Sequence, residues 1–179
     1  MSTAEDTVRP ANKIRALWAN PQIKYPISMI TYLLTFGLLF TVLMPKMGNS
    51  IDQIEAFTAY SVTGFLSLFT DLVTLRGNIV SLDGFSVLVI MECVGLLEML
   101  IYASCVLAFP APRRAKLWGI PIGCGAIFGF NILRIATLLV VGRHWNEYFD
   151  FFHIYFWQAT LIAMIVAVLH GWIKVFVPR

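Results

Sequence analysis

The chain has 179 residues, 59% hydrophobic and 13% charged, with a formal net charge of +3 and a mean hydropathy of +0.78. A soluble domain of this length cannot hide so much apolar surface, so the composition excludes an ordinary globular protein and points to the lipid bilayer. The positive charge is small and, by its placement, reads as a topology signal; nothing in it calls for a nucleic-acid partner.

The apolar residues come in long blocks. Tyr25 to Pro45 is 21 residues without a charge, Cys93 to Pro112 is 20 with one (Glu98), Leu117 to Gly142 is 26 with one (Arg134), and Ile154 to Ile173 is 20 with none. A hydrocarbon core about 30 Å thick takes ~20 residues per helix, so the pattern predicts four spans, over residues 25–45, 93–112, 117–142 and 153–173. The first reads as a retained anchor. Its apolar run exceeds the ~7–15 residues of a cleaved signal peptide, and Met44-Pro45-Lys46-Met47 offers no small-residue cleavage site.

Residues 1–24 form a basic tail with Arg9, Lys13, Arg15 and Lys24; Arg113, Arg114 and Lys116 separate the second and third spans, and Lys174 and Arg179 follow the fourth. Four spans put these nine charges on one side and leave Lys46, Arg76 and Arg143 on the other. The positive-inside rule makes the richer side cytoplasmic. The expected protein therefore sits in the cell (inner, cytoplasmic) membrane with both termini inside and residues 46–92 outside.

Within that outer region, Ala56 to Thr70 is a 15-residue stretch bracketed by Glu55 and Asp71. It reads as an amphipathic helix on the outer surface, because a fifth span would carry Arg113, Arg114 and Lys116 outside. Ile79 to Leu82, Asp83-Gly84, and Phe85 to Met91 read as strand, turn and strand, Asp-Gly between β-rich runs being a strong hairpin signal. No internal repeat or linker interrupts the chain. The fold class is an all-α integral membrane protein: four transmembrane helices, an outer amphipathic helix and a short extracytoplasmic β-hairpin, with residues 25–179 as one polytopic catalytic domain.

Three reactive side chains lie at or near the outer ends of separate spans. Cys93 follows the second strand and opens a span, where the free N–H groups and partial positive charge of a helix N-terminus favour a thiolate. Gly95 lets another chain approach the backbone closely. Arg134 lies about eight residues, or ~12 Å, below the outer end of its span and snorkels outward; a charge inside a membrane segment suggests function by default. Asn131, one turn earlier on the same face, is placed to orient the guanidinium or to contact a substrate backbone. His153 opens the last span, with Asp150 three residues before it to hold its tautomer. Each has a plain structural alternative: an inert interfacial cysteine, an arginine paired with Glu98 to hold the bundle, an ordinary interfacial histidine.

Other chemistry is disfavoured. Cys93 and Cys105 are twelve residues apart, ~18 Å along a helix, so they cannot bridge; Cys105 and Cys124 read as small core residues. His144, His153 and His170 lie at depths too different for a zinc or haem site, and no cofactor is expected. Span three also carries Gly119, Gly123, Gly125 and Gly129, two small-x-x-x-small pairs that permit close helix packing. A thiol, a fixed cation and an imidazole at one boundary read as a cysteine nucleophile with its helpers. A membrane assembly or accessory protein built on an Arg134–Glu98 pair, and a transporter subunit using those two residues, are the competing readings.

These residues resemble the exosortase and archaeosortase family of membrane cysteine transpeptidases. The resemblance runs through Gly84-Phe85-Ser86-Val87, Glu92-Cys93-Val94-Gly95-Leu96, Ala108-Phe109-Pro110-Ala111-Pro112-Arg113, Asn131-Ile132-Leu133-Arg134-Ile135 and Phe152-His153-Ile154-Tyr155-Phe156-Trp157-Gln158, about half of the chain. It looks most like the small exosortase H type. It implies a Cys-Arg-His site, carried here onto Cys93, Arg134 and His153. It also implies membrane-anchored protein substrates that end in a recognition motif, a hydrophobic helix and a basic cluster, cleaved at the motif and passed to an acceptor. One departure stands out: Val94 follows the cysteine where family members often carry Ser, Thr or Asn.

Overall fold

The computed structural model describes residues 21–43 and 48–177; Arg9, Lys13, Arg15, Lys46, Arg179 and the last two residues of the first expected span lie outside them. The described chain runs α1 (Pro21–Leu43), α2 (Gly48–Leu66), β1 (Val73–Arg76), β2 (Ile79–Leu82), β3 (Phe85–Leu88), a 3₁₀ turn (Met91–Cys93), α3 (Leu96–Ala108), α4 (Arg113–His144), a 3₁₀ turn (Asn146–Tyr148), a π-helical stretch (Phe151–Phe156) and α5 (Trp157–Phe176).

Three helical segments are long and apolar enough to cross a membrane: Ile23–Leu43, Arg113–His144 and Phe151–Phe176. The expected second span is different. α3 has only 13 residues, ~20 Å of helix, against the ~20 residues a perpendicular crossing takes. Its shortness has local causes. Residues 91–93 are used by the 3₁₀ turn, and Gly95 takes a left-handed conformation with φ 81°. At the other end Phe109 is extended (ψ 138°), as the residue before Pro110 must be. α4 exceeds its expectation at both ends, with 32 residues and a length of ~48 Å.

α4 is the axis, and it serves two different cores. Its first half packs against α3 and α5 through Ala115, Ile127, Tyr102, Val106, Leu161, Met164 and Trp172. Gly119 and Gly123 make this approach possible: a Cβ at Gly119 would lie 2.0 Å from Trp172, and one at Gly123 would lie 2.2 Å from the Tyr102 ring. Tyr102 then donates its hydroxyl hydrogen to the Gly119 carbonyl (3.0 Å) and Trp172 its indole hydrogen to Ala115 (3.0 Å). Gly125 and Gly129 face open space, so only the first pair of small residues serves packing.

The second half of α4 carries Ile135, Ala136 and Leu139 into a separate core with Ala59, Val62 and Leu66 of α2 and Val80, Leu82 and Val89 of the sheet. α2 spans Gly48–Leu66, earlier and longer than the expected 56–70, and buries Ala59, Val62 and Leu66 along one stripe. The three strands are antiparallel in the order β1-β2-β3. β2 and β3 pair with Leu82 opposite Phe85, and the two residues between them, Asp83 and Gly84, both have positive φ, as a two-residue I′-type turn requires. β3 stops at Leu88, three residues short of the expected strand end. Arg143, near the end of α4, forms an ion pair with Asp83 at the hairpin tip.

The basic residues gather at one end of the bundle. Tyr25 of α1 and Trp172 of α5 both pack edge-on to Phe109, at 5.9 and 5.7 Å between ring centroids. That end holds Lys24 and Lys116 around one cavity, beside Arg113 and Arg114 at the start of α4.

The packing predicts opposite outcomes at two glycines of one helix. Gly123→Leu is expected to destabilise the protein in detergent by about 1–3 kcal/mol through overpacking against Tyr102. Gly129→Ala is expected to be neutral or stabilising by up to ~1 kcal/mol through helix propensity. Thermal unfolding of the two variants reads this directly, and a destabilised Gly129→Ala beside an unaffected Gly123→Leu would refute the assigned interface.

Candidate functional site

Cys93 does not open a helix. It closes the 3₁₀ turn, with its N–H bonded to Ile90 (2.7 Å) and Val94 N–H bonded to Met91 (3.1 Å). Gly95 follows as the cap of α3 without any side-chain cap bond. The leading N–H groups of α3 are thus left without a side-chain partner just past the cysteine. Cys93 is half-buried and packs against the core formed by α2, the sheet and α4. Val94 is only 3% exposed; a polar residue there would need a buried partner.

Asn131 joins this turn to α4. It is fully buried, and its Nδ2 donates to the Cys93 carbonyl at 2.5 Å. Its Cγ lies 3.2 Å from where a Gly95 Cβ would stand. Gly95 therefore meets two demands at once, a left-handed backbone and close approach of a neighbouring helix. The close neighbour at Gly95 is α4 of the same chain.

This contact sets the levels. Cys93 stands beside Asn131, and Phe130 packs edge-on to Trp157 at 5.8 Å, so Cys93, Asn131 and Trp157 share one level of the bundle. Trp172 meets Ala115 further down, so α5 runs antiparallel to α4. Arg134 is three residues beyond Asn131, ~4.5 Å along the axis, and His153 is four residues before Trp157. Both lie one turn from the Cys93 level, in the same direction, at the end opposite Lys24 and Lys116. Arg134 therefore stands one turn beyond Cys93 along α4, and the last third of that helix continues into the core with α2 and the sheet.

The three side chains share this end without a direct hydrogen bond among them. Arg134 is half-buried with its Nε enclosed and unpartnered. His153 is exposed, its ring stacked on Phe149 at 5.6 Å and 12°. Asp150 makes no hydrogen bond with it among the described residues. A π-helical stretch over residues 151–156 begins between Asp150 and His153. Arg134 and Glu98 form no ion pair among the described residues. Glu98 is three residues inward from Gly95 while Arg134 is three residues outward from Asn131, which separates their levels by ~9 Å.

Trp157, given no role of its own in the sequence analysis, stands out in the fold. It is 4% exposed, and its indole Nε1 has no partner. Its place directly after the π-helical stretch was hidden, because a π-turn leaves no periodic trace in so uniformly aromatic a run.

Asn131→Ala is expected to lower stability by about 1–3 kcal/mol, since the Cys93 carbonyl loses its only side-chain donor among the described residues. Equilibrium unfolding in detergent measures this; unchanged stability would show that the turn is held by other means.

No curated protein and no solved structure matched the chain. The family model described as transmembrane exosortase matches residues 28–171, a stretch that takes in the sheet, α2 to α4 and most of α1 and α5, with Cys93, Arg134 and His153 inside it. A match over so much of the sequence shows the kinship: this chain belongs to the transmembrane exosortase family.

Proposed function

We propose that the protein is a membrane-embedded cysteine transpeptidase that cleaves the C-terminal sorting signals of exported proteins on the extracytoplasmic face and passes them to an acceptor. Family membership supports the exosortase-type activity. The observation that carries the site assignment is the common level of Cys93, Asn131 and Trp157, with Arg134 and His153 one turn beyond. The gathering of Lys24, Arg113, Arg114 and Lys116 at the opposite end supports the orientation, since the basic end belongs in the cytoplasm.

In this reading Cys93 is the nucleophile. Its proton passes to His153, and the sulfur attacks the scissile carbonyl of the substrate. Arg134 stabilises the negative charge that develops on the carbonyl oxygen, strongly so in a poorly hydrated place. The tetrahedral species collapses as the C–N bond breaks, and His153 returns its proton to the leaving amine. The product is a thioester on Cys93, which an acceptor nucleophile resolves with release of the thiol. The gap between the three groups fits an unliganded site, where catalytic hydrogen bonds are long and tighten on binding. A substrate that ends in its own apolar helix is confined to the same bilayer, so positioning comes largely from the membrane. The competing view, a structural arginine–glutamate pair in a non-enzymatic protein, has no ion pair between Arg134 and Glu98 to rest on.

Cys93→Ala is expected to abolish processing of a co-expressed substrate with a tripartite tail, and Arg134→Lys to slow it by roughly 10²–10³-fold, the usual effect of removing one oriented stabilising group. Immunoblotting of precursor and mature forms reads both; normal processing by Cys93→Ala ends the proposal. A thiol reagent that cannot cross the membrane, applied to intact cells, is expected to label Cys93 and neither Cys105 nor Cys124. Labelling of Cys105 or Cys124 instead would reverse the orientation.

A further inference from the structure

Buried polar atoms without a hydrogen-bond partner are few in native proteins, and each calls for an explanation such as a ligand or a strained functional site. Among the described residues there are three on side chains: Asn131 Oδ1, Arg134 Nε and Trp157 Nε1. They are not scattered. Asn131 and Arg134 are one turn apart on α4, and Trp157 packs on Phe130, the residue before Asn131. Asn131 and Trp157 lie at the level of Cys93 and Arg134 one turn beyond it, and the Cys93 carbonyl is held by the other atom of the same Asn131 amide.

The chemistry of the set is complementary to a peptide. Asn131 Oδ1 is an acceptor, and Trp157 Nε1–H and Arg134 Nε–H are donors. One residue of an extended chain presents its N–H and its C=O on the same side. A wall that offers an acceptor and a donor satisfies both, as the edge of a sheet does. Trp157 is 4% exposed and Asn131 fully buried, so bulk water does not serve these atoms cheaply, and leaving them open disfavours the empty site.

Resting on the transpeptidase reading above, we infer that Trp157 Nε1–H and Asn131 Oδ1 hold the main chain of the substrate's cleavage motif beside Cys93, the indole donating to a substrate carbonyl and the amide accepting from a substrate N–H. This main-chain contact is independent of motif side chains and leaves Arg134 to the reacting carbonyl. Trp157 is thus a substrate-binding residue whose role resides in one N–H.

The test is Trp157→Phe, which keeps an aromatic ring against Phe130 and removes the donor. In the full-length protein in membranes or detergent, the variant is expected to lower kcat/KM for a tripartite-tailed substrate about 10-fold, the effect of one lost hydrogen bond in a buried site. Placed in the Cys93→Ala background, where substrate binds without turnover, it is expected to weaken binding by a similar factor. Tm without substrate stays level or rises, since an unpartnered buried donor is removed. Normal processing and binding by Trp157→Phe would overturn the inference, as would a loss of activity matched by a loss of substrate-free Tm, which marks a packing role. Processing that persists in Cys93→Ala alone overturns the transpeptidase reading itself and this inference with it; Cys93-dependent processing indifferent to Trp157→Phe sinks only the latter.

Discussion

The hydrogen bond from Asn131 to the Cys93 carbonyl organises the site end of this protein. It forms only because Gly95 has no side chain in the way and adopts a left-handed backbone. Through it a short 3₁₀ turn is pinned to a fixed level of a 32-residue helix. Everything else at that end is measured from there: Arg134 by helix rise, His153 through Trp157 and Phe130. A buried amide between a turn and a helix tolerates little drift, since either group left open in an apolar place costs about 1–3 kcal/mol.

The long helix α4 explains why one chain combines a membrane bundle with a small sheet. Its first half offers Gly119 and Gly123 to the rings of Trp172 and Tyr102. Its second half offers Ile135, Ala136 and Leu139 to α2 and the strands. Cys93 sits where the two environments meet. The family match over residues 28–171 covers both halves. Three side-chain atoms close to that level have no partner among the described residues: Asn131 Oδ1, Arg134 Nε and Trp157 Nε1.

Several elements were legible in the residue pattern. Long blocks with at most one charge announced α1, α4 and α5, because a bilayer demands unbroken apolar length and leaves little room for other readings. Asp83-Gly84 announced the turn between β2 and β3, because few dipeptides accept two positive φ angles. Other elements were misjudged for equally physical reasons. Cys93 to Pro112 carries the apolar length of a span, yet 3₁₀ geometry and a left-handed glycine consume its start and Pro110 cuts its end. Asp150 and His153 make no hydrogen bond among the described residues, and a π-helical stretch that periodicity does not reveal begins between them. The alternative Glu98–Arg134 pair does not form among the described residues, because α4 rises well past α3.

The sequence by itself determined the membrane character, the basic end and the family, all of which depend on composition, order and short motifs that survive without three-dimensional knowledge. Only the tertiary structure decided the relative heights of the helices, the half-buried setting of Cys93, the exposed and stacked state of His153 and the open hydrogen-bonding atoms of Asn131, Arg134 and Trp157. Periodicity records which face of a helix is apolar; it holds no information on how far one helix slides along another. That offset is set by a few close contacts distant in sequence, Gly95 on Asn131 and Trp157 on Phe130, and these exist only once the chain has folded.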